Sequence, residues 1–532
     1  MVLFIQVKDD KTDMNIFFPK DGIKAEAREG DTLLDVIRAA GLQIEVDCTG
    51  RGTCGMCRVL VNGVECLACR TAAEEGMRVE ILDSSEGHVI LTDSITGKRD
   101  GSFSVREGKQ KEPSLLHGKI AFAIDIGTTT VVIKAIDIGN QDEVGVRAFV
   151  NPQRAYGADV LSRINHAMDD ATDLSELIAG AVDRAIEDIL LGEGAGAVTE
   201  KVVIAGNTTM MYLLLNRRCR SLGLAPFQPE FAFEHVFEYN EVFKTNTLDC
   251  PVLIYPYISA FVGGDIVSGI VNIERRIESG FHASYILIDM GTNGELVYRD
   301  SARLLTTSTA AGPALEGGNI TCGMGGLPGA IYAATYEGDG KFSYHTIGEK
   351  PALGICGSGV ISLVAAMLDA GLVSKSGAFT EEGERLAEDT DTDPVLKQLV
   401  IAEPSGSGGG KRIVFTQKDI REYQLAKGAI RAGIDILIDE MGEPPHMLYL
   451  AGGFGQSIDL KSAFRTGLMP RSLQGRILFV GNTSLGGCVI ACQECEAKGP
   501  LPSLYMIDRA QEINLGSHKK FNDKFMESLL FE

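Results

Sequence analysis

The chain has 532 residues, 45% of them apolar, which is typical of a globular protein with more than one hydrophobic core. Asp and Glu number 72 against 50 Lys and Arg, so the formal charge is −22. An acidic surface of this size repels nucleic-acid phosphates and excludes that class of partner. The sequence shows no uninterrupted apolar run of about 18 residues and no signal-peptide layout. We therefore expect a cytoplasmic protein with reduced thiols and no membrane partner.

Four cysteines near the N-terminus form the first motif: Cys48, Cys54, Cys57 and Cys69. Four thiolates can hold the two irons of a [2Fe–2S] cluster. Glycines between the first three cysteines allow a tight loop whose N–H groups face cluster sulfur. Zinc is the alternative, but structural zinc sites usually show two closely spaced cysteine pairs, and here a longer glycine-rich stretch splits the first pair. The spacing favours the cluster and single-electron transfer.

The fourth ligand has a competitor, because Cys66 lies just before Cys69. We prefer Cys69, since Leu67-Ala68-Cys69 resembles the end of the cluster motif in [2Fe–2S] ferredoxins. The first three cysteines are similar to those of plant-type and adrenodoxin-type ferredoxins. The short gap before Cys69 is similar to the iron–sulfur subunits of succinate dehydrogenase and molybdenum hydroxylases. The resemblance implies a β-grasp domain.

The predicted elements of this ferredoxin-like domain occupy residues 1–86. Alternating apolar residues predict strands at 4–7 and 15–18 that form a hairpin. The spacing of apolar residues predicts an amphipathic helix over 32–40, and two further strands are predicted at 58–61 and 79–82. Residues 87–117 are polar and contain repeated Gly and Lys, so they are predicted to be a linker.

A different pattern starts at residue 119. Residues 120–126 are apolar apart from Asp125, as expected of a strand buried on both faces. A polar turn and another apolar strand follow; the turn contains Gly127, Thr128, Thr129 and Thr130. The pattern recurs over 285–297, where Asp289 precedes Gly291, Thr292 and Asn293. Two Asp-x-Gly-Thr hairpins predict an internally duplicated α/β fold.

Both hairpins have the chemistry of a phosphate site. Backbone N–H groups at 127–130 and 291–293 can cradle phosphate oxygens, and threonine hydroxyls add donors. Asp125 and Asp289 stand at strand ends on opposite sides of a cleft, where they can hold a hydrated Mg²⁺. The alternative is two ordinary tight turns, each capped by an Asp. The repetition of the whole device favours phosphate binding.

A third element is the apolar strand that runs into Gly452 and Gly453. In the actin, Hsp70 and sugar-kinase (ASKHA) superfamily a similar turn lies against the adenosine, and the order of the three elements resembles that superfamily. The resemblance implies an ATPase divided into a first ASKHA-like domain at 118–210 and a C-terminal ATPase domain at 211–532. Among acidic residues in glycine-bearing loops, Asp265 and Glu316 are candidates to orient an attacking water, and either could equally be structural.

Two other motifs are discounted. Residues 405–412 resemble a Walker A loop, but the first Gly is missing and Arg412 replaces the Ser or Thr, so we predict a surface loop. Cys488, Cys492 and Cys495 have a spacing used for iron–sulfur clusters, yet offsets of four and three place them on one helical face. That face is predicted to be core.

The whole chain resembles the reductive activators of corrinoid-dependent enzymes. The resemblance rests on the domain order and on three motifs: Gly-Pro-Ala-Leu-Glu-Gly from Gly312, Cys-Gly-Ser-Gly from Cys356 and Gly-Asn-Thr-Ser-Leu from Gly481. It implies ATP-dependent reduction of Co(II) to Co(I) in the corrinoid protein of a methyltransferase system. The implied cofactors are a [2Fe–2S] cluster, ATP and Mg²⁺, and the implied partners include an upstream low-potential electron donor. The sequence leaves a homodimer open.

Two other functions remain open from the sequence. The protein could donate electrons to another low-potential enzyme in an ATP-coupled way, as the activators of 2-hydroxyacyl-CoA dehydratases do. Those activators hold a [4Fe–4S] cluster between subunits, which the ferredoxin-like domain here does not resemble. The protein could also be a small-molecule kinase with a redox-regulatory ferredoxin domain. A kinase would phosphorylate an acceptor in proportion to ATP consumed, whereas an activator's ATPase would respond to a corrinoid protein.

Overall fold

Two structural units make up the chain in the computed structural model, Met1–His88 and Val89–Glu532. The structure describes residues 14–20, 22–28, 30–40, 42, 44, 57–81, 96–97, 103–104, 118–157, 159–231, 235–276, 284–291, 293–390, 397–403, 412–453, 458–499, 501 and 507–532. Within these ranges no helix combines the length and apolar character needed to cross a membrane. The surface loop predicted at 405–412, apart from Arg412, and the predicted strand at 4–7 lie outside the described residues.

Among its described residues, the first unit contains small antiparallel sheets and one α-helix. Its elements are β1 Met14–Phe18, β2 Ile23–Ala27, α1 Leu33–Ala39, β3 Arg58–Val61, β4 Val64–Leu67 and β5 Val79–Ile81. Strand β1 pairs with β2, β3 lies between β4 and β5, and a bridge from Phe17 to Arg78 connects the two sheets. The helix and the strands at 58–61 and 79–81 confirm those sequence predictions.

Local sequence explains why α1 and the β3–β4 hairpin form. Thr32 caps α1 by accepting from the Asp35 N–H while Asp35 accepts from the Thr32 N–H, a reciprocal capping box. The apolar residues of α1 that face the core are Leu33, Leu34, Val36 and Ile37. Asn62 and Gly63 both have positive φ, as a two-residue hairpin turn requires. The core of the unit therefore follows from periodicity and turn chemistry.

The second unit begins, after a short pair of strands β6 Thr96–Gly97 and β7 Phe103–Ser104, with a first lobe at 118–276. Its strands are β8 Lys119–Ile126, β9 Thr130–Asp137, β10 Glu143–Val150, β11 Val198–Gly206, β12 Val236–Glu238 and β13 Pro251–Ile254. Its helices are α2 Val160–His166, α3 Thr172–Leu191, α4 Thr208–Leu214, α5 Arg220–Gly223, α6 Tyr239–Phe243 and α7 Gly264–Arg276. The division proposed at residue 210 falls inside α4, between strands of one sheet.

The second lobe occupies 284–532. Its strands are β14 Tyr285–Met290, β15 Gly294–Arg299, β16 Leu304–Thr309, β17 Ala330–Gly338, β18 Lys341–Thr346, β19 Gly354–Ile355, β20 Glu388–Asp389, β21 Lys397–Ala402, β22 Ile413–Thr416, β23 Met447–Ala451, β24 Ile477–Gly481 and β25 Ala510–Glu512. Its helices are α8 Gly357–Asp369, α9 Glu381–Leu386, α10 Gln417–Met441, α11 Leu460–Arg465, α12 Thr483–Glu494 and α13 Phe521–Leu529.

Five strands of each main sheet share one topology, which confirms the predicted duplication; the sixth strand, β12 or β25, lies at opposite ends of the two sheets. The first sheet has the order β10-β9-β8-β11-β13-β12 and the second the order β24-β23-β14-β15-β16-β25. In each, an antiparallel three-strand meander adds parallel strands on the side of its first strand. The central strands β8 and β14 each lead into one of the two Asp-x-Gly-Thr turns. The duplicated turns therefore occupy equivalent places in the two sheets.

Helices α7 and α12 join the lobes. Although α12 follows the second-lobe strand β24, it packs on the first sheet, where the Cys488 thiol lies 3.4 Å from the Ile124 carbonyl oxygen. The helices touch at backbone distance, because a Cβ on Gly487 would lie 2.1 Å from the Ser268 carbonyl oxygen. The Ser268 hydroxyl donates to the Ser484 carbonyl oxygen at 2.6 Å, which ties α7 to the first turn of α12.

The cysteines of α12 belong to this joint. Cys488 and Cys492 are fully buried among apolar residues of the first sheet and α7, and Cys495 is partly buried beside them. Burial raises the pKa of Cys492 to about 12, so its thiol stays protonated at neutral pH. The predicted core role is confirmed by this packing.

We expect Gly487→Ala to destabilise the second unit by about 2 kcal/mol or more, because its methyl group needs space that the α7 backbone occupies. Thermal unfolding of the purified protein measures this. Gly180→Ala is the matched control, since Gly180 lies within α3 and a Cβ there meets only the end of the Arg184 side chain. That control should gain up to about 1 kcal/mol from helix propensity. Equal stability of the two variants would contradict backbone contact at Gly487.

Candidate functional site

The thiols of Cys57 and Cys69 lie side by side in the first unit. Their sulfur atoms are 3.2 Å apart, and the Cys69 N–H donates to the Cys57 sulfur at 3.5 Å. Both residues are buried, Cys57 completely. This proximity fits two thiolates bound to one iron of a [2Fe–2S] cluster, with a backbone donor to sulfur. Cys48 and Cys54, the other two predicted ligands, lie outside the described residues.

Cys66 occupies a different environment. It lies within β4 opposite Val59 of β3 and packs against the hydrophobic core of the unit. Cys69 instead falls in the 3₁₀ turn Ala68–Arg70 that follows β4, next to Cys57. The structure therefore places the preferred fourth ligand, rather than Cys66, beside a second cysteine of the motif.

In the second unit, the first phosphate turn follows β8. The Gly127 N–H donates to the Thr130 carbonyl oxygen at 2.9 Å and closes the turn. The Asn207 side-chain amide donates to the Thr128 hydroxyl oxygen at 2.9 Å, so the loop after β11 also supports the turn. The predicted residues Gly127 to Thr130 therefore form one ordered turn at the carboxyl end of the first sheet.

The second phosphate turn follows β14. The Gly291 N–H donates to the Asn293 carbonyl oxygen at 3.0 Å, whereas Thr292 lies outside the described residues. Gly452, at the end of β23, approaches this turn so closely that a Cβ on it would lie 2.6 Å from Asp289 Oδ1. Its φ of 84° also requires glycine. Gly453 follows, and so the predicted adenosine turn and the second phosphate turn are neighbours.

Asp125 is held by the other lobe. The Ser484 hydroxyl donates to Asp125 Oδ1 at 2.7 Å, and the Asn482 side-chain amide donates to Oδ2 at 2.8 Å. Asn482 caps α12 by accepting from the Leu485 N–H at 2.8 Å. Both residues belong to a Gly-Asn-Thr-Ser-Leu motif that the sequence analysis used only for the family resemblance. They orient the carboxylate of Asp125, which lies more than 350 positions earlier in the chain.

Carboxyl groups converge at the cleft. Asp265 opens α7, and its pKa is raised to about 7 by burial and by the charges of Asp289 and Asp125. Burial and Asp125 raise the pKa of Asp289 to about 6. Burial raises the pKa of Asp125 as well, and the bonds from Ser484 and Asn482 oppose that shift. The two hairpins and the start of α7 therefore bring together the carboxylates of three predicted site residues.

Glu295 joins this group and was missed by the sequence analysis. It lies on β15 directly opposite Asp289 of β14. Burial, followed by the charges of Asp265 and Asp289, raises its pKa well above the ordinary value. Its place two residues after Asn293, on the strand that leaves a turn predicted to bind phosphate, was the signal that could have identified it.

The carboxyl groups at the cleft are suited to hold a cation, but they supply only part of its ligand shell. Within the described ranges, no three carboxyl, imidazole or thiol groups converge closely enough to coordinate one metal ion by themselves. Mg²⁺ commonly keeps several waters and takes one or two carboxylates together with substrate phosphates. The carboxylates therefore fit a hydrated Mg²⁺ whose remaining ligands come from a nucleotide.

Glu316 takes a more open position than the other acidic residues. It ends the 3₁₀ turn Pro313–Glu316 and is exposed. A Cβ on Gly291 would lie 3.9 Å from Glu316 Oε1, so its carboxylate faces the second phosphate turn. The two candidates for water orientation thus approach the cleft from different elements, Asp265 from the start of α7 and Glu316 from the loop after β16.

These features define a protein that combines a [2Fe–2S] ferredoxin domain with an ATP-binding unit of the ASKHA fold. Three family models match it in succession. The 2Fe-2S iron-sulfur cluster binding domain matches residues 17–80, the RACo middle region residues 120–276, and the C-terminal domain of RACo, the ASKHA domain, residues 283–532. The chain therefore carries, in this order, a [2Fe–2S] cluster binding domain, a RACo middle region and a RACo C-terminal ASKHA domain.

Individual relatives agree with the family. The chain is 27% identical to the corrinoid activation enzyme RamQ of Eubacterium limosum, over 97% of the chain and 99% of the relative. It is 27% identical to the [Co(II) methylated amine-specific corrinoid protein] reductase of Methanosarcina barkeri, over 68% of each protein. A solved structure, the reductive activator for corrinoid, iron-sulfur protein, superposes with a TM-score of 0.66 at 25% identity, covering 97% of this chain and 98% of that one.

We expect Cys69→Ser to lose most of the visible absorbance of the cluster, because it replaces a thiolate ligand beside Cys57. Cys66→Ser is the matched control and should keep both the absorbance and an iron content of about two per chain. Absorbance and iron analysis of anaerobically purified protein measure both. Loss of the cluster in the Cys66 variant alone would exclude Cys69 as the ligand.

We expect Asp289→Asn to stabilise the nucleotide-free protein at pH 8. The folded-state pKa of Asp289 is raised to about 6, so this carboxyl contributes stability below its unfolded pKa and loses that contribution as pH rises through 6. The amide lacks this penalty, so the variant should exceed the wild type by roughly 1–3 kcal/mol at pH 8 and by less at pH 5. Urea unfolding in EDTA measures the difference.

The control for this measurement is Asp188→Asn, on the exposed surface of α3. It should show no comparable change between pH 5 and pH 8. A wild type more stable than Asp289→Asn at pH 8 would contradict the crowding of carboxylates around Asp289.

Proposed function

We propose that the protein is an ATP-dependent reductase that activates a corrinoid protein by transferring one electron from its [2Fe–2S] cluster to Co(II), giving Co(I). The observation that carries this proposal is the union of two sites in one chain, the Cys57–Cys69 pair and the two-lobed cleft around Asp125 and Asp289. The relative named for corrinoid activation aligns with 97% of this chain, and the relative named for Co(II) reduction aligns with 68% of it. The activity follows from coupling the two sites.

The electron balance is simple. When bound, the cluster supplies one-electron chemistry, so each Co(II) substrate takes one electron, and an upstream low-potential donor must restore it. Cys57 and Cys69 would hold this cofactor, and the Cys69 N–H directed at the Cys57 sulfur would stabilise negative charge there. The protein thus needs two redox partners, a donor and the corrinoid protein. Its formal charge of −22 is the reason we assign no nucleic acid among them.

In the cleft, different residues of the chain bind the cation, the phosphates and the adenosine and orient the attacking water. We assign Asp125 and Asp289 to Mg²⁺, with Asp125 fixed by Asn482 and Ser484. The turns at 127–130 and 291–293 bind phosphate oxygens, and Gly452 with Gly453 accommodates the adenosine. Asp265, whose pKa is raised to about 7, is suited to accept a proton from the attacking water near neutral pH. Glu316 faces the second turn from the open side and can position that water.

Binding of ATP can change the arrangement of the two lobes, because the nucleotide contacts both of them. The first phosphate turn belongs to the β8–β9 hairpin and the second to the β14–β15 hairpin, so a nucleotide bound to both favours the closed arrangement of the lobes. A partner that binds one arrangement better than the other is then held or released according to the nucleotide state. This linkage lets ATP turnover drive an electron transfer that is unfavourable by itself. We place the reaction in the cytoplasm, where the cluster and thiols stay reduced.

We expect Asp125→Ala and Asp289→Ala each to lower ATP-dependent formation of Co(I) at least about 100-fold, because each removes a charged group of the cation site. The measurement follows the absorbance change from cob(II)alamin to cob(I)alamin in a corrinoid protein with reductant and ATP. The cluster spectrum should not change, since the cysteines belong to the other structural unit. Asp188→Ala, on the exposed face of α3, is the matched control. Unchanged rates in both cleft variants would refute the ATP assignment.

The same assay separates the other functions that the sequence leaves open. A kinase would release ADP and phosphorylate a small acceptor with no corrinoid protein present. An electron donor to a different enzyme would hydrolyse ATP with no stimulation by a Co(II) corrinoid protein. The proposed activator should show ATPase stimulated by that protein and Co(I) formed only when ATP is added.

A further inference from the structure

The first phosphate turn is held from behind by two side chains that no comparison assigns. The Asn151 side-chain amide donates to the Gly127 carbonyl oxygen at 2.8 Å. The Arg163 guanidinium donates to the next carbonyl oxygen, that of Thr128, at 2.6 Å. Asn151 and Arg163 are both fully buried. Two consecutive carbonyl groups are therefore drawn into the body of the first lobe.

This arrangement fixes the direction of two N–H groups. Across a trans peptide bond, the C=O of one residue and the N–H of the next point in opposite directions. The only cis peptide bond among the described residues is elsewhere, at Ala225–Pro226. With their carbonyl groups turned inward, the peptides 127–128 and 128–129 direct the N–H groups of Thr128 and Thr129 outward. Successive N–H groups of this kind form an anion-binding concavity.

Besides its bond to the Thr128 carbonyl oxygen, the Arg163 guanidinium makes two polar contacts with described residues. Its Nε donates to the Gly157 carbonyl oxygen at 2.9 Å, and Nη1 lies 3.3 Å from the Met210 sulfur. Neither partner is a carboxylate. The acidic group that acts on it most is Asp159, but Asp159 Oδ1 accepts from the Ser162 N–H and hydroxyl as the cap of α2. The guanidinium is therefore a buried cation whose hydrogen bonds within the described residues go to neutral atoms.

A buried cation without an ion-pair partner is costly unless something compensates it. Burial and the nearby Arg154 lower the pKa of Arg163 to about 9, so the group still carries its charge at neutral pH. Its charge lies one peptide group behind the phosphate turn. A polyphosphate on the far side of that peptide supplies the missing negative charge through a region of low dielectric.

We propose that Arg163 and Asn151 are the positioning residues of the ATP phosphates: they turn the Thr128 and Thr129 N–H groups into the cleft, and the Arg163 cation attracts the polyphosphate from behind the turn. This inference rests on the proposed ATP site and adds the residues that give the first lobe its preference for phosphate. The adenosine turn at Gly452 and Gly453 lies in the second lobe and does not depend on them.

The experiment compares a ligand with phosphates and a ligand without them. Calorimetry or fluorescence titration measures the binding of ATP, inorganic triphosphate and adenosine to the full chain. Asn151→Asp keeps the Oδ that accepts from the Gln153 N–H and cannot donate to Gly127 when ionised. Arg163→Lys keeps the charge but cannot reproduce the guanidinium bonds to both Thr128 and Gly157. Arg163→Met removes charge and donors together.

We expect Asn151→Asp and Arg163→Met each to weaken ATP and triphosphate binding about 10- to 100-fold. The first replaces a donor behind the turn by a negative charge, and the second removes a charge-assisted hydrogen bond. Arg163→Lys should lose less, about 3- to 10-fold, because the cation remains. Adenosine affinity should change less than about twofold in all three variants. Arg220→Met, which removes an exposed arginine paired with Asp169, is the matched control and should leave all three affinities unchanged.

A merely structural role would give a different pattern. If Arg163 only stabilises the lobe, ATP and adenosine affinities fall in parallel with the unfolding temperature, and that result overturns the inference. If Arg163→Met does not fold, the isosteric Asn151→Asp decides, and unchanged ATP binding in it overturns the inference. A wild-type chain that fails to bind ATP would instead refute the proposed function, and the two failures are thus distinguished.

Discussion

The hydrogen bonds that Asn482 and Ser484 donate to Asp125 are the contact on which the cleft depends. They join the loop after the second-lobe strand β24 to the central strand of the first sheet, at distances of 2.8 and 2.7 Å. The same loop starts α12, which then crosses onto the first sheet beside α7. The aspartate at the end of β8 is therefore oriented by the element that joins the lobes. This carboxylate therefore lies at the place where the two lobes are joined.

The charges at the cleft match those of a magnesium nucleotide. Carboxylates gather in the cleft, where Asp289 raises the pKa of Asp265 and both raise the pKa of Glu295. The N–H groups of the first phosphate turn face the cleft, and the Arg163 cation lies behind that turn. Both arrangements are unfavourable without a ligand, because the carboxylates repel one another and the buried guanidinium lacks an ion pair. A ligand that carries both a cation and phosphates relieves both, which couples nucleotide binding to the stability of the unit.

The sequence was sufficient to predict features that depend on residues adjacent in the chain. The Asp-x-Gly-Thr hairpins predicted the duplicated sheet, and periodicity predicted the buried face of α1 and the core position of Cys488 and Cys492. It missed groups whose function depends on strand register or distant packing. Glu295 matters because the β14–β15 pairing sets it opposite Asp289, and Arg163 matters because α2 packs under a turn more than thirty residues earlier. No local pattern marks such a residue, since an arginine on a short helix normally reads as surface.

The glycine contact between α7 and α12 also decides how the lobes can move. Two helices in backbone contact cannot approach further, and drawing them apart would break the Ser268–Ser484 bond and expose buried apolar side chains. The motion left to them is rotation about the point where Gly487 meets Ser268. Displacement in a rotation grows with distance from its axis. A rotation of a few degrees at this crossing therefore moves Asp125 very little, whereas it moves the outer edges of both sheets several times further. Partner surfaces that sense the nucleotide state should therefore lie far from this crossing, at the rims of the lobes.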